Sequence, residues 1–139
     1  MKMFMILVVL FVVIGVGCSD GGPQAVAADI DIPALLEQLK SPDADTRLAA
    51  CVSFSEGLHR AAPAINELIE VCKTDKDAQV REMAVYAIYQ MGEKAGKPAV
   101  PMIKERWEKE RSLRVRSMLF SLWNMLEPET APTVSNARP

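Results

Sequence analysis

Three cysteines and one histidine set the limits of the chemistry this chain can carry. Cys51 and Cys72 are the two thiols of its body. If they lie on antiparallel helices joined by a turn near residues 58–61, they come level with each other. In an oxidising compartment such a pair forms a disulfide closing a loop of about 20 residues, worth about 3 kcal/mol. The alternative is two buried small hydrophobes with free thiols. His59 stands between Leu58 and Arg60 at an expected helix end, where an imidazole satisfies terminal carbonyls. A single histidine with no thiols or acids ranged about it does not make a metal or catalytic centre. The sequence has no Gly-rich phosphate loop, no Ser/His/Asp set and no Cys-x-x-Cys. Glu105, Glu108 and Glu110 alternate with Lys104, Arg106, Lys109 and Arg111. Opposite signs three or four residues apart read as a solvated, self-compensating helix face rather than a carboxylate pair for acid–base work. The expectation is no catalytic residue, no cofactor and no metal.

The third cysteine, Cys18, has a different context. Lys2 is followed by an apolar run from Met3 to Val16, then Gly17, Cys18 and a string of small residues. One cation, an apolar stretch and small residues make a secretory signal, and the run is short of the roughly 20 apolar residues of a spanning helix. Gly15-Val16-Gly17-Cys18 resembles a bacterial lipobox, with Gly15 where a larger aliphatic is usual. The resemblance implies lipidation at Cys18 and a lipid-anchored protein of the cell envelope. Cleavage at Ala25-Val26-Ala27 would instead release a soluble periplasmic or secreted protein, and an uncleaved run would remain as a short anchor. The expected organisation is a signal peptide at 1–17, a flexible tether at 18–30, a folded unit at 31–126 and a disordered tail at 127–139.

The folded unit must be organised by repetition. Asp43 and Arg47, Asp77 and Arg81, and Ser112 and Arg116 recur at intervals of 34 and then 35 residues. Each first member is a helix N-cap type. Behind the caps, Val80, Met83, Ala84, Ala87, Ile88 and Met91, and then Val115, Met118, Leu119, Leu122, Trp123 and Leu126, follow a helical period. The first repeat matches with a thinner face, Thr46, Ala49, Ala50, Ser53, Phe54 and Gly57. A second helix precedes each of these. Pro63 and Pro98, 35 residues apart, are placed to open two of them, and Ile32-Pro33-Ala34-Leu35-Leu36 begins a shorter one. Six helices are expected, near 32–40, 44–58, 62–73, 78–91, 98–110 and 113–126.

A Pro-opened helix, a short turn with Asp, then a helix beginning Val-Arg, repeated every 34–35 residues, resembles HEAT-type repeats. It is most similar to the short HEAT-like variety also found in phycobilin lyases, with Asp77-Ala78-Gln79-Val80-Arg81 as the clearest segment. The resemblance implies an all-α fold, a short α-solenoid of about three helix pairs. It also implies that Asp43, Asp77, Arg47, Arg81 and Arg116 tie successive repeats together, with Ser112 weakening the third rung.

These readings point to a membrane-tethered, non-catalytic interaction module that binds a protein partner or a copy of itself. Lyase-like enzymes of the HEAT-like group and a purely structural periplasmic role are the alternatives. The net charge of −2 does not suit nucleic acid. Eight cations fall between residues 93 and 116 against four glutamates, so the acidic balance lies in the first two repeats. Leu119, Phe120, Leu122, Trp123, Met125 and Leu126 crowd the last helix beyond what one buried stripe holds. Phe120 and Trp123 are therefore the expected interface residues, and the tail after Glu127 is too polar to cover them.

Overall fold

Asp31, Asp43, Asp77 and Ser112 each stand one residue before a helix, and their side chains accept backbone N–H groups that the first turn leaves unbonded. These caps fix where the long helices begin. The structure is a computed structural model and describes residues 29–133. Its helices are α1 (Ile32–Leu39), α2 (Ala44–Gly57), α3 (Ile65–Thr74), α4 (Ala78–Gln90), α5 (Glu93–Gly96), α6 (Val100–Lys109) and α7 (Leu113–Leu126). No strand occurs among the described residues. Six of the seven are the expected long helices, and α5 is a single turn inside what reads in sequence as a connection.

The openings of α3 and α6 differ from expectation. Leu58–Ala64 and Lys97–Ala99 are 3₁₀ segments, so Pro63 and Pro98 precede α3 and α6 instead of starting them. Proline lacks the donor a regular α-turn needs, and the tighter i→i+3 winding accommodates it before the α-helix begins.

Three antiparallel pairs, α1/α2, α3/α4 and α6/α7, stack in order into a short all-α solenoid. Helices α2, α4 and α7 pack directly on one another, whereas α1, α3 and α6 stand further apart. Two shallow grooves separate the outer helices. One, of about 320 Å³, lies between α1 and α3 over Leu36, Leu39 and Val71, and the other, of about 280 Å³, lies between α3 and α6. A single core runs through the stack, with Phe54, Leu68, Ala84, Ile88, Ile103, Leu119 and Leu122 fully enclosed. An isolated pair cannot enclose its own apolar face, so the stacking itself creates this core.

The buried face of α2 is rotated from the expected one. Arg47, Ala50, Cys51, Phe54, Ser55 and Gly57 point inward, while Ala49 is exposed. A sequence pattern counts arginine as a surface residue. Here the Arg47 guanidinium is neutralised within the fold, which turns the helix by about one residue, roughly 100°.

Candidate interaction surface at the end of the stack

The two internal joints of the solenoid are built from the same parts. Arg47 donates from Nε and Nη2 to both carboxylate oxygens of Asp75, at 2.7 and 3.0 Å, and from Nη1 to the Ser41 and Pro42 carbonyls. Arg81 repeats this one unit later. Its Nε and Nη2 reach the two oxygens of Glu110, each at 2.9 Å, and Nη1 bonds the Asp75 and Lys76 carbonyls. Each arginine thus closes its own inter-helix turn and holds the acid of the following repeat.

That acid has a fixed place two residues before a cap. Asp75 accepts the backbone N–H of Asp77, and Glu110 accepts that of Ser112, both at 2.9 Å. The side chains are almost enclosed, at 6% exposure for Asp75 and 1% for Glu110. Burial alone would push the Glu110 carboxyl up. The bonds from Arg81, the Ser112 N–H and Arg106 outweigh it and hold the group down at about 2. Asp75 is also lowered, because the Arg47 and Asp77 bonds outweigh its burial.

This corrects two expectations. Asp43 and Asp77 are helix caps, and the acids that tie the repeats are Asp75 and Glu110. Glu110 does not belong to a solvated face. It lies in a buried joint with Arg81 and with Arg106, whose Nη2 stands 2.9 Å away. The rest of that charged run is a surface, as Lys109 and Glu105 pair at 2.7 Å in the open.

The third repeat presents the same positions with no described helix beyond it. Arg116 is the counterpart of Arg47 and Arg81, Phe120 that of Cys51 and Val85, and Trp123 that of Phe54 and Ile88, by the 34- and 35-residue intervals. Cys51, Val85, Phe54 and Ile88 are completely buried, whereas Phe120 and Trp123 are half-buried. Trp107 of α6 gathers them. Its ring lies 6.1 Å from Phe120 and 6.4 Å from Trp123, edge-on to the latter. The Arg116 guanidinium sits 4.9 Å over the Trp107 ring, and the Lys104 ammonium 5.8 Å over Trp123. An aromatic patch flanked by cations therefore forms the end of the solenoid.

The first residues of the tail are ordered against this end. Trp123 Nε1 donates to Thr130 Oγ1 at 3.0 Å, and Thr130 in turn donates to Glu127 Oε2 at 2.9 Å. Glu127 also pairs with Lys104 at 2.7 Å. The tail covers the polar edge of Trp123 through hydrogen bonds, a kind of cover that a count of apolar residues misses.

Cys51 and Cys72 are free thiols, both fully buried, so the disulfide expectation is not met. Burial drives Cys51 up to about 12 and Cys72 well above its ordinary value, which keeps both as inert thiols in the core. Cys18, residues 1–17 and most of the tether lie outside the described residues. His59 is exposed on the 3₁₀ segment. Among the described residues no cluster of three or more His, Cys, Asp or Glu is placed to hold a metal ion, and no helix is long and apolar enough to cross a membrane. The eight cations of 93–116 are dispersed, and several are in ion pairs, among them Lys97 with Glu93 and Arg114 with Glu82.

No curated protein and no solved structure matches the chain. Residues 32–123 match the HEAT repeats family, a span that runs from the start of α1 into α7 and takes in both arginine joints. HEAT repeats generally serve protein interaction or scaffolding, and their fold is generally non-catalytic. The arginine rungs, the 34–35-residue period and this match together place the chain in the family of HEAT repeats.

Proposed function

We propose that the protein is a membrane-tethered interaction module of the bacterial cell envelope, and that it binds a protein partner through the end of its stack. One observation carries the reading. Positions that are completely buried in the first two repeats, Cys51 and Val85, correspond to half-buried Phe120 in the third. Aromatic side chains beside cations are the residue types that dominate binding energy at protein interfaces. The lipobox-like Gly17-Cys18 and the small-residue stretch after it support a tether that holds the module off a bilayer.

The test has two arms. In fractionated cells the wild-type chain should pellet with membranes, and Cys18→Ala should lose both lipid and membrane association. From detergent-solubilised envelopes, the full chain should co-purify a stoichiometric protein that Phe120→Glu does not retain. A Cys18→Ala protein that still partitions with membranes removes the lipid tether, and equal recovery by Phe120→Glu removes the end surface.

A further inference from the structure

We propose that the turn between α6 and α7 lies against an anionic lipid surface, with Leu113 entering below the headgroups and Arg111 and Arg114 meeting lipid phosphates. This contact builds on the membrane-tethered reading and names the side of the solenoid that faces the lipid. The rungs align the three inter-helix turns along one edge of the stack. Arg47 bonds the Ser41 and Pro42 carbonyls of the first turn and Asp75 of the second. Arg81 bonds the Asp75 and Lys76 carbonyls of the second and Glu110 of the third. Along that edge the first turn exposes Asp43 and Asp45 around half-buried Ala44. The second exposes Lys76 and Gln79, with Asp77 and Ala78 half-buried. At the third, Arg111 and Arg114 are exposed, and a leucine, Leu113, replaces the alanine and stands 67% exposed. An acidic edge thus becomes a basic one with an apolar tip.

The fold itself does not call for a leucine there. Ser112 caps α7, and alanine begins α2 and α4 at the same position. Over residues 108–114 the acids are Glu108 and the Glu110 that Arg81 neutralises inside the joint, against Lys109, Arg111 and Arg114. Arg114 pairs with Glu82 at 3.0 Å through Nε while its side chain stays 73% exposed. Such an open pair is weak, and the guanidinium fork can take a phosphate as well. A polyanion such as nucleic acid would use the arginines and leave Leu113 in water. A bilayer surface takes both, burying the apolar side chain and holding the cations at headgroup level. The chain also enters the fold at the opposite edge, where a Cβ on Gly57, the last residue of α2, would lie 2.6 Å from Ile30 Cδ1. That point is about 21 Å from the turns along the 14 residues of α2. Residues 18–30 reach at most about 40 Å, so a lipid on Cys18 and the turn can meet one bilayer together. The α6/α7 pair then stands on its turn. Phe120 and Trp123, further along α7, face along the membrane towards a neighbouring envelope protein.

The test reconstitutes the full-length chain into vesicles of phosphatidylcholine, alone or with phosphatidylglycerol as about a quarter of the lipid. An aliphatic diazirine amino acid replaces Leu113, or Ala78 as the control, and light joins it to whatever it touches. Position 113 should give at least about fivefold more lipid adduct in the anionic vesicles than in the neutral ones. Arg111→Glu with Arg114→Glu should bring that yield down to the neutral level, and position 78 should give little adduct in either. If the double glutamate variant loses helix content, Arg111→Gln with Arg114→Gln takes its place. Equal yields from position 113 in the two vesicles, equal yields from positions 113 and 78, or a yield indifferent to the arginines overturns the contact. So does an adduct to protein in place of lipid. A chain that floats with the anionic vesicles yet gives no lipid adduct at position 113 rejects the turn and leaves the tether standing. A chain recovered free of vesicles rejects both.

Discussion

Arg81 and Arg116 occupy one repeat position and live in opposite surroundings. Arg81 is buried because Glu110 arrives from the next repeat and matches its fork. Arg116 rests on an aromatic ring at the end of the stack. The side chain is the same, and what packs against it differs: a carboxylate of the next repeat for Arg81 and the ring of Trp107 for Arg116.

The comparison breaks most visibly in stability. Arg81→Ala removes the bidentate partner of the buried Glu110 carboxylate, leaving it Arg106 and the Ser112 N–H, and should cost about 3 kcal/mol in urea denaturation, against a smaller loss for Arg116→Ala. Similar costs for the two would mean that burial of the rung contributes nothing. The double replacement Arg81→Met with Glu110→Leu should recover most of the loss, because paired apolar groups avoid the desolvation that an unpaired charge suffers. At the centre of the stack, Ile88→Ala should cost about 2–5 kcal/mol, since Ile88 is fully enclosed between repeats. The same truncation at its counterpart, Trp123→Ala, removes a half-buried ring. A smaller loss per atom removed there would sharpen the contrast.

The joints also predict a pH dependence. Glu110 is held at about 2, below its ordinary 4.5, so its contribution is fully present above about pH 4.5 and disappears as pH falls towards 2. The loss from this group should be about 3 kcal/mol, with Asp75 acting in the same direction. Urea midpoints measured from pH 6 to pH 2 should trace this fall, and Glu110→Gln should flatten it. A stability that rises on acidification would contradict the assignment. The smallest effect concerns the exits of α2 and α4. Gly92 has φ of +84°, and its first-repeat counterpart Leu58 has φ of +52° while 45% exposed. Leu58→Gly should therefore stabilise by about 1 kcal/mol, and Gly92→Ala should destabilise by a similar amount, both read from thermal melts.

Much of the scaffold is written locally and is legible. Asp43, Asp77 and Ser112 cap helices because a cap needs only a short oxygen-bearing side chain at the right place, and of the 3.6-residue period from Val80 to Met91 the structure buries Val80, Ala84, Ala87, Ile88 and Met91, with Met83 half-buried at the edge. The rungs are not local. Arg47 and Asp75 are 28 residues apart and Arg81 and Glu110 are 29 apart, so no helical spacing links them. A signal did exist, since Asp75 and Glu110 recur at 35 residues, each two before a cap. It is masked because Glu110 sits within a run of alternating charges that otherwise lies on the surface. Trp107 follows Val100 and Ile103 at helical spacing, but its position between Phe120 and Trp123 depends on how α6 meets α7. That packing angle has no trace in either helix alone.

The central claim is that the end of the third repeat is a contact surface while the internal joints are closed. The most direct measurement places a photo-crosslinking amino acid at Phe120 in the full-length chain, in intact cells, with Gln79, an exposed residue of α4, as the control position. The account predicts a discrete adduct to another protein from position 120 that is weak or absent from position 79. No adduct at position 120, or the same adducts from both positions, would contradict it.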